Sequence, residues 1–273
     1  MTTTTSKVLA CGAIAAALLL DASGCGSGSG TPAAAPGDAA APTSVAAPAA
    51  GRESTIGEVT VTPITHGSLR LRFRDRNLFV DPWSKGDLAG LGAADMIFIT
   101  DVHRDHLDRK AIDALRTDKT VIVAPKAVAD ELADLAVTVL ANGESKEIDG
   151  VGVEAVAMYN LVRGPEEGGR FHDKGRGNGY VLTLGDARIY VSGDTECTDE
   201  MRGLQRIDAA FVCMNLPYTM PPSEAAECIK AFRPKVVYPY HYRGSDLGPL
   251  EAALAGESGI ELRRVDWYPG GEG

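Results

Sequence analysis

Residues 94–108, ADMIFITDVHRDHLD, decide how this chain is read. They open on an apolar run, Ala94–Thr100, as expected of a strand covered on both faces. The run gives way to Asp101, His103, Asp105 and His106, and Asp108 is a suitable cap for a helix expected through Arg116. An apolar strand that delivers polar side chains to the loop at its end is how an α/β sheet usually presents a ligand site.

The neighbouring segments extend this pattern in both directions. Strands are expected at Glu58–Ile64, Leu69–Phe73 and Asn77–Val80, then at Thr120–Ala124 and Val137–Leu140, with a helix over Lys126–Leu135. The second half repeats the order. Strands are expected at Val151–Met158, Tyr180–Leu184, Arg188–Ser192, Asp208–Met214, Lys235–Tyr240 and Ile260–Val265, and a helix capped by Ser223 runs to Phe232. A β meander, βα units, a second meander and further βα units predict one α/β domain with two sheets and outer helices.

Two other strand ends carry similar chemistry: Gly193-Asp194-Thr195 follows Arg188–Ser192, and His241 follows Lys235–Tyr240. Imidazole together with carboxylate suits zinc, iron or manganese, and no cysteine cluster points to a closed structural zinc site. Four donors within six positions crowd a single tetrahedral ion, whereas alternate residues of a turn can face two ions about 3.5–4 Å apart. Neither a P-loop nor a Gly-x-Ser-x-Gly nucleophile elbow is present.

TDVHRDHLD resembles the HxHxDH signature of the metallo-β-lactamase superfamily, with Asp101 in place of the first His; the Gly-Asp-Thr turn and His241 follow in the same order. The resemblance extends from Glu58 to Trp267, and ITHGSLRL (64–71), FVDPW (79–83) and VVYPYHY (236–242) resemble the branch that includes ascorbate-6-phosphate lactonase. It implies a four-layer αββα sandwich with two mixed sheets flanked by helices. It also implies a metal-dependent hydrolase holding one or two Zn2+ ions, with Mn2+ or Fe2+ as alternatives. Carried over by position, Asp101 and His103 belong to a first site completed by His172 or Asn160. Asp105, His106 and His241 belong to a second site, and Asp194 bridges the two. Both departures from the pattern fall on the first site, so the second is expected to be the tighter.

Asp105 is expected to orient the attacking water or move its proton. His66 is expected to assist at the mouth of the site, and Asp81 to stand behind a ligand imidazole. Asn160, Lys174 and Tyr242 are expected to touch substrate. Lys174 and Arg176, with Arg163 and Arg170 nearby, hint at an anionic substrate group. The expected reaction is attack by a metal-held hydroxide on an ester, lactone or phosphodiester. The alternatives are a metal-binding or sensor lipoprotein that has lost catalysis, and a β-lactam hydrolase.

The N-terminus reads differently. Lys7 precedes the 13 residues Val8–Leu20, a length that suits a signal-peptide core and falls short of the roughly 20 needed to span a bilayer. Ala22-Ser23-Gly24-Cys25 resembles a lipobox, with Cys25 as the acylated residue. Residues 1–25 are therefore expected to be a signal peptide and 26–55 a Gly/Ser/Ala/Pro linker, leaving 56–273 as the hydrolase domain. Export and membrane anchoring through Cys25 follow, with a periplasmic or secreted form as the alternative. Cys197, Cys213 and Cys228 give no paired spacing and no expected disulfide framework, and Cys213 and Cys228 read as buried apolar residues. The net charge of −10 argues against a nucleic-acid partner, leaving a small-molecule substrate and the lipid anchor as expected contacts.

Overall fold

The computed structural model describes residues 53–269 and residue 271. The signal peptide, Cys25 and all but the last residues of the expected linker lie outside that range.

The first half begins with an antiparallel meander of β1 (Ser54–Ile56), β2 (Val59–Thr65), β3 (Ser68–Phe73) and β4 (Arg76–Val80). β4 then pairs in parallel with β5 (Met96–Phe98), which continues to β6 (Val121–Ala124) and β7 (Val137–Val139). Helices α1 (Arg109–Leu115) and α2 (Lys126–Glu131) make the crossovers. The second half has the same plan. β8 (Ser145–Ile148), β9 (Val151–Met158), β10 (Gly177–Leu184) and β11 (Ala187–Val191) are antiparallel. β12 (Ala209–Cys213), β13 (Val236–Tyr240) and β14 (Glu261–Leu262) add in parallel, with α3 (Asp199–Arg202), α4 (Pro222–Phe232) and α5 (Gly248–Leu254) between them. Each sheet is thus mixed and seven-stranded.

Burial explains the layering. Val61, Leu69 and Leu71 of the first sheet share one core with Val153, Tyr180 and Leu182 of the second. On the outer face of the first sheet, Phe79, Ile97 and Ile99 pack with Ile112, Leu115 and Val128 of the helices. Ala225, Ile229 and Leu250 of α4 and α5 join the core from the second sheet's outer side. The result is the αββα sandwich. Removing each buried Val, Leu, Ile or Phe side chain among these from water contributes roughly 1.5–3 kcal/mol.

The halves also hydrogen-bond near the ends of β5 and β10. Asn178 N–H donates to Thr100 O at 2.9 Å and Tyr180 Oη to Ile99 O at 2.8 Å.

Several local expectations change. Asp108 does cap α1, accepting from Lys110 N and Ala111 N, but Ser223 does not cap α4. That helix starts after Pro221 with Pro222 in its first turn, where a missing N–H costs nothing. Helix α2 stops at Glu131 instead of Leu135. Cys197 and Cys228 form a disulfide with their Cα atoms 5.6 Å apart, correcting the expectation that no cysteines pair and that Cys228 is a plain apolar residue. Cys213 stays free and buried. Among the described residues, no helix is long and apolar enough to cross a membrane.

Candidate metal centre

Every residue of the expected centre lies at a strand end or in the loop behind one. Asp81 follows β4, Asp101 to His106 follow β5, Asp194 follows β11 and His241 follows β13, while His66 sits in the β2–β3 turn. Three of these bends are left-handed: His66, Asp81 and His241 have φ of 52°, 43° and 48°. A non-glycine residue in that region costs roughly 1–3 kcal/mol, and such strain collects where side chains must be aimed at a site. Gly67 makes the convergence possible, because a Cβ there would stand 2.7 Å from the His241 ring.

Three groups of donor atoms come together, each within 4.8 Å: His106, Asp194 and His241; His66, Asp105 and His241; and Asp101, His103 and His172. Asp194 lies between the first and the last. Its Oδ2 is 3.4 Å from both His106 Nε2 and His172 Nε2, and its Oδ1 is 3.5 Å from His241 Nε2. Asp105 Oδ2 is 3.2 Å from His241 Nε2 and 3.3 Å from His66 Nε2. Donors that share one tetrahedral ion at about 2.0–2.1 Å stand about 3.4 Å from each other. The buried atoms His106 Nε2, His172 Nε2 and Asp194 Oδ1 also have no hydrogen-bond partner. Unsatisfied buried donors and acceptors at this spacing fit a metal ion.

The atoms behind these groups fix their direction. Asp81 accepts from His106 Nδ1 at 2.7 Å and from Thr100 N and Oγ1 at 2.7 and 2.5 Å, so His106 turns Nε2 inward. Burial disfavours a charged His106, but Asp194, Asp81 and Asp105 together hold its pKa well above the usual value. Asp105 and Asp194 are likewise held well below the carboxylate range despite burial, through the charges and hydrogen bonds of the surrounding histidines. Burial pulls His66 down to about 4, so its ring is neutral, with Nδ1 at 2.9 Å from Tyr268 Oη.

His172 and Asn160, alternatives in the sequence, have separate roles. The Asn160 side chain is buried and accepts from His172 N and Nδ1 at 2.8 and 2.7 Å, while its amide donates to Glu196 Oε1 and Tyr218 O. His172 therefore reaches the cluster, and Asn160 stands behind it. Lys174, also expected at the substrate, pairs with Glu200 at 2.6 Å and lies over the Tyr159 ring. Tyr242 packs on Tyr268, with ring centroids 5.1 Å apart, and is not among the residues lining the cavity. The rest of the expected basic loop is committed too. Arg163 pairs with Glu196 and Glu224, Arg176 with Asp101, and Arg170 donates to backbone carbonyls.

Above the cluster opens a cavity of about 480 Å³ floored by His103, Asp105, His172 and Asp194. Trp83, Phe171 and Tyr218 form apolar walls, and Lys85, Arg104 and Arg243 stand at its edge. None of these three cations has a carboxylate partner among the described residues. Lys85 lies over the Trp83 ring at 4.8 Å. Glu196 is a further residue that the sequence reading missed. Buried beneath the loop, it accepts the N–H groups of Leu161, Val162 and Arg163 and the Asn160 amide.

A model of the beta-lactamase superfamily domain matches residues 60–241, from β2 to the terminal histidine of the cluster. The chain belongs to the beta-lactamase superfamily. Within that superfamily, it is 40% identical to a protein of Parabacteroides distasonis provisionally described as a metal-dependent hydrolase. The crystal structure of that protein superposes with a TM-score of 0.72 over 77% of this chain and 94% of the other. A UPF0173 metal-dependent hydrolase of Enterococcus faecalis is 30% identical over 195 residues, 65% of this chain and 83% of the relative. The superfamily fold is shared more widely: a metallo hydrolase of Ignicoccus hospitalis, 18% identical, gives a TM-score of 0.63 over 76% of this chain and 95% of the other.

Proposed function

We propose that this superfamily member is a metal-dependent hydrolase whose centre is built from His103, His106, His172, Asp194 and His241, with Asp105 beside them. The observation that carries this reading is that buried His106 Nε2, His172 Nε2 and Asp194 Oδ1 lack hydrogen-bond partners, while the two nitrogens lie 3.4 Å from Asp194 Oδ2 and Oδ1 lies 3.5 Å from His241 Nε2. A bound ion would lower the pKa of a water from 15.7 to roughly 7 and polarise the bond under attack. Asp105 faces the cavity and is ionised, so it can orient that water and accept its proton. His66 is neutral and within 3.3 Å of Asp105, where it can hold the carboxylate in place.

Lys85, Arg104 and Arg243 support an anionic group on the substrate, because unpaired cations beside a cavity of a −10 chain attract anions. Trp83, Phe171 and Tyr218 suit an apolar or aromatic portion. An ester, lactone or phosphodiester bearing such groups fits the cavity. We also propose export and anchoring through Cys25, which the Cys197–Cys228 disulfide supports because such bonds persist in oxidising compartments. Acyl labelling that persists in Cys25→Ser would overturn the anchor.

Metal-stripped protein reloaded with Zn2+ or Mn2+ and assayed on lactones, carboxylic esters and phosphodiesters tests the activity. Turnover is expected to need metal and to fall on the order of a hundredfold or more in Asp194→Ala, together with metal content. Full turnover by the stripped protein would sink the reading.

A further inference from the structure

The three donor groups differ in one respect that their spacing hides. Asp105 and Asp194 pair only with histidines among the described residues. Asp101 does not. Its side chain is completely buried, and Arg176 grips it with two parallel bonds, Nε to Oδ1 at 3.0 Å and Nη2 to Oδ2 at 2.9 Å. Oδ2 also lies 2.9 Å from His103 Nδ1.

A guanidinium is charged at every accessible pH, and its planar fork matches a carboxylate so well that the pair is among the stronger ionic contacts in proteins. A dication entering between His103 and His172 must either share Asp101 with that fixed positive charge or break both bonds. His172 already leans the other way, its Nε2 being 3.4 Å from Asp194 and 3.9 Å from Asp101.

We propose that Arg176 is a resident counter-charge that takes Asp101 out of the metal centre, so that the centre fills in two unequal steps. The first ion goes to the group around His106, Asp194 and His241. The second, at His103 and His172, is opposed by the guanidinium and binds more weakly. The inference rests on the metal-dependent reading above and adds to it a residue whose function is to limit metal loading.

Metal-free protein titrated with Zn2+ against a competing chelator, and with Co2+ followed by its visible spectrum, tests this without reference to activity. The wild type is expected to bind one ion tightly and a second at least tenfold more weakly. In Arg176→Met the second step should tighten at least tenfold with the first unchanged, whereas Arg176→Lys, which keeps the charge, should resemble the wild type. Arg176→Gln, which keeps a donor for Asp101 without the charge, should behave like Arg176→Met, and it decides the matter alone if Arg176→Met does not fold. Two equally tight ions in the wild type would overturn the proposal and leave the hydrolase reading intact. So would an affinity gap that persists in both neutral variants. Failure of the wild type to bind any ion would overturn the hydrolase reading itself, and this inference with it.

Discussion

Asp81 shows how much of this site is held by residues that never face the cavity. It is fully buried, accepts from His106 Nδ1 and is itself held by Thr100. Such a carboxylate fixes both the tautomer and the direction of the imidazole, and its loss typically costs 10–100-fold in metal affinity. Asp81→Ala should therefore weaken metal binding at His106 by about that factor, read in the same chelator competition; unchanged affinity would mean that the backbone at His106 suffices. Asp81 could be suspected from the sequence because Val-Asp-Pro-Trp ends a strand. The Asp101–Arg176 pair could not, since 75 residues separate partners that only the packing of two sheets brings together.

At the scale of elements, the loop of residues 159–176 between β9 and β10 determines whether His172 reaches the centre. The loop has no periodic pattern, so the sequence left Asn160 and His172 as alternatives and could not order them. What orders them is Glu196, whose charge collects three backbone N–H groups from the loop. Burial alone would raise the Glu196 pKa, but the Arg163 and Val162 N–H groups, the Asn160 amide and the Arg163 charge hold it below the ordinary glutamate value. A carboxylate with a depressed native pKa adds stability above its unfolded pKa and loses it as pH falls below that value. Glu196→Gln should thus cost about 1–3 kcal/mol at pH 7. The difference from wild type in urea midpoint should shrink as pH falls below about 4.5, and a pH-independent difference would refute it. The strand order was far easier to read than this loop, because buried strands are continuous apolar runs. Edge strands such as β8, exposed and polar at Ser145–Glu147, carry no such signal.

For the whole molecule, the disulfide is the largest departure from the sequence reading. Three cysteines in the folded part gave no spacing from which to choose a pair, and only the docking of α4 beside the turn after Asp194 brings Cys197 to Cys228. It closes a loop with a sequence separation of 31, for which chain entropy predicts roughly 3–4 kcal/mol of stabilisation. Unfolding in the presence of dithiothreitol, or of the Cys197→Ser/Cys228→Ser variant, should move to lower denaturant by that amount. A shift below about 1 kcal/mol would mean that residual structure already restricts this loop in the unfolded state.

The left-handed turn at His66 and the strand end at His241 have a consequence for the order in which this protein is made. Their backbones bond directly, His241 N–H to His66 O at 3.1 Å, and their rings lie 3.7 Å apart, so the first meander and the thirteenth strand meet at the metal centre. Contacts so distant along the chain form late and slowly, because a long loop must close before they repay its entropy. A chain emerging from its N-terminus has Asp101 to His106 early, yet lacks the partner that completes the group of His106, Asp194 and His241 until residue 241 follows. An ion bound there would consequently be a latecomer, sealing a finished fold instead of nucleating one.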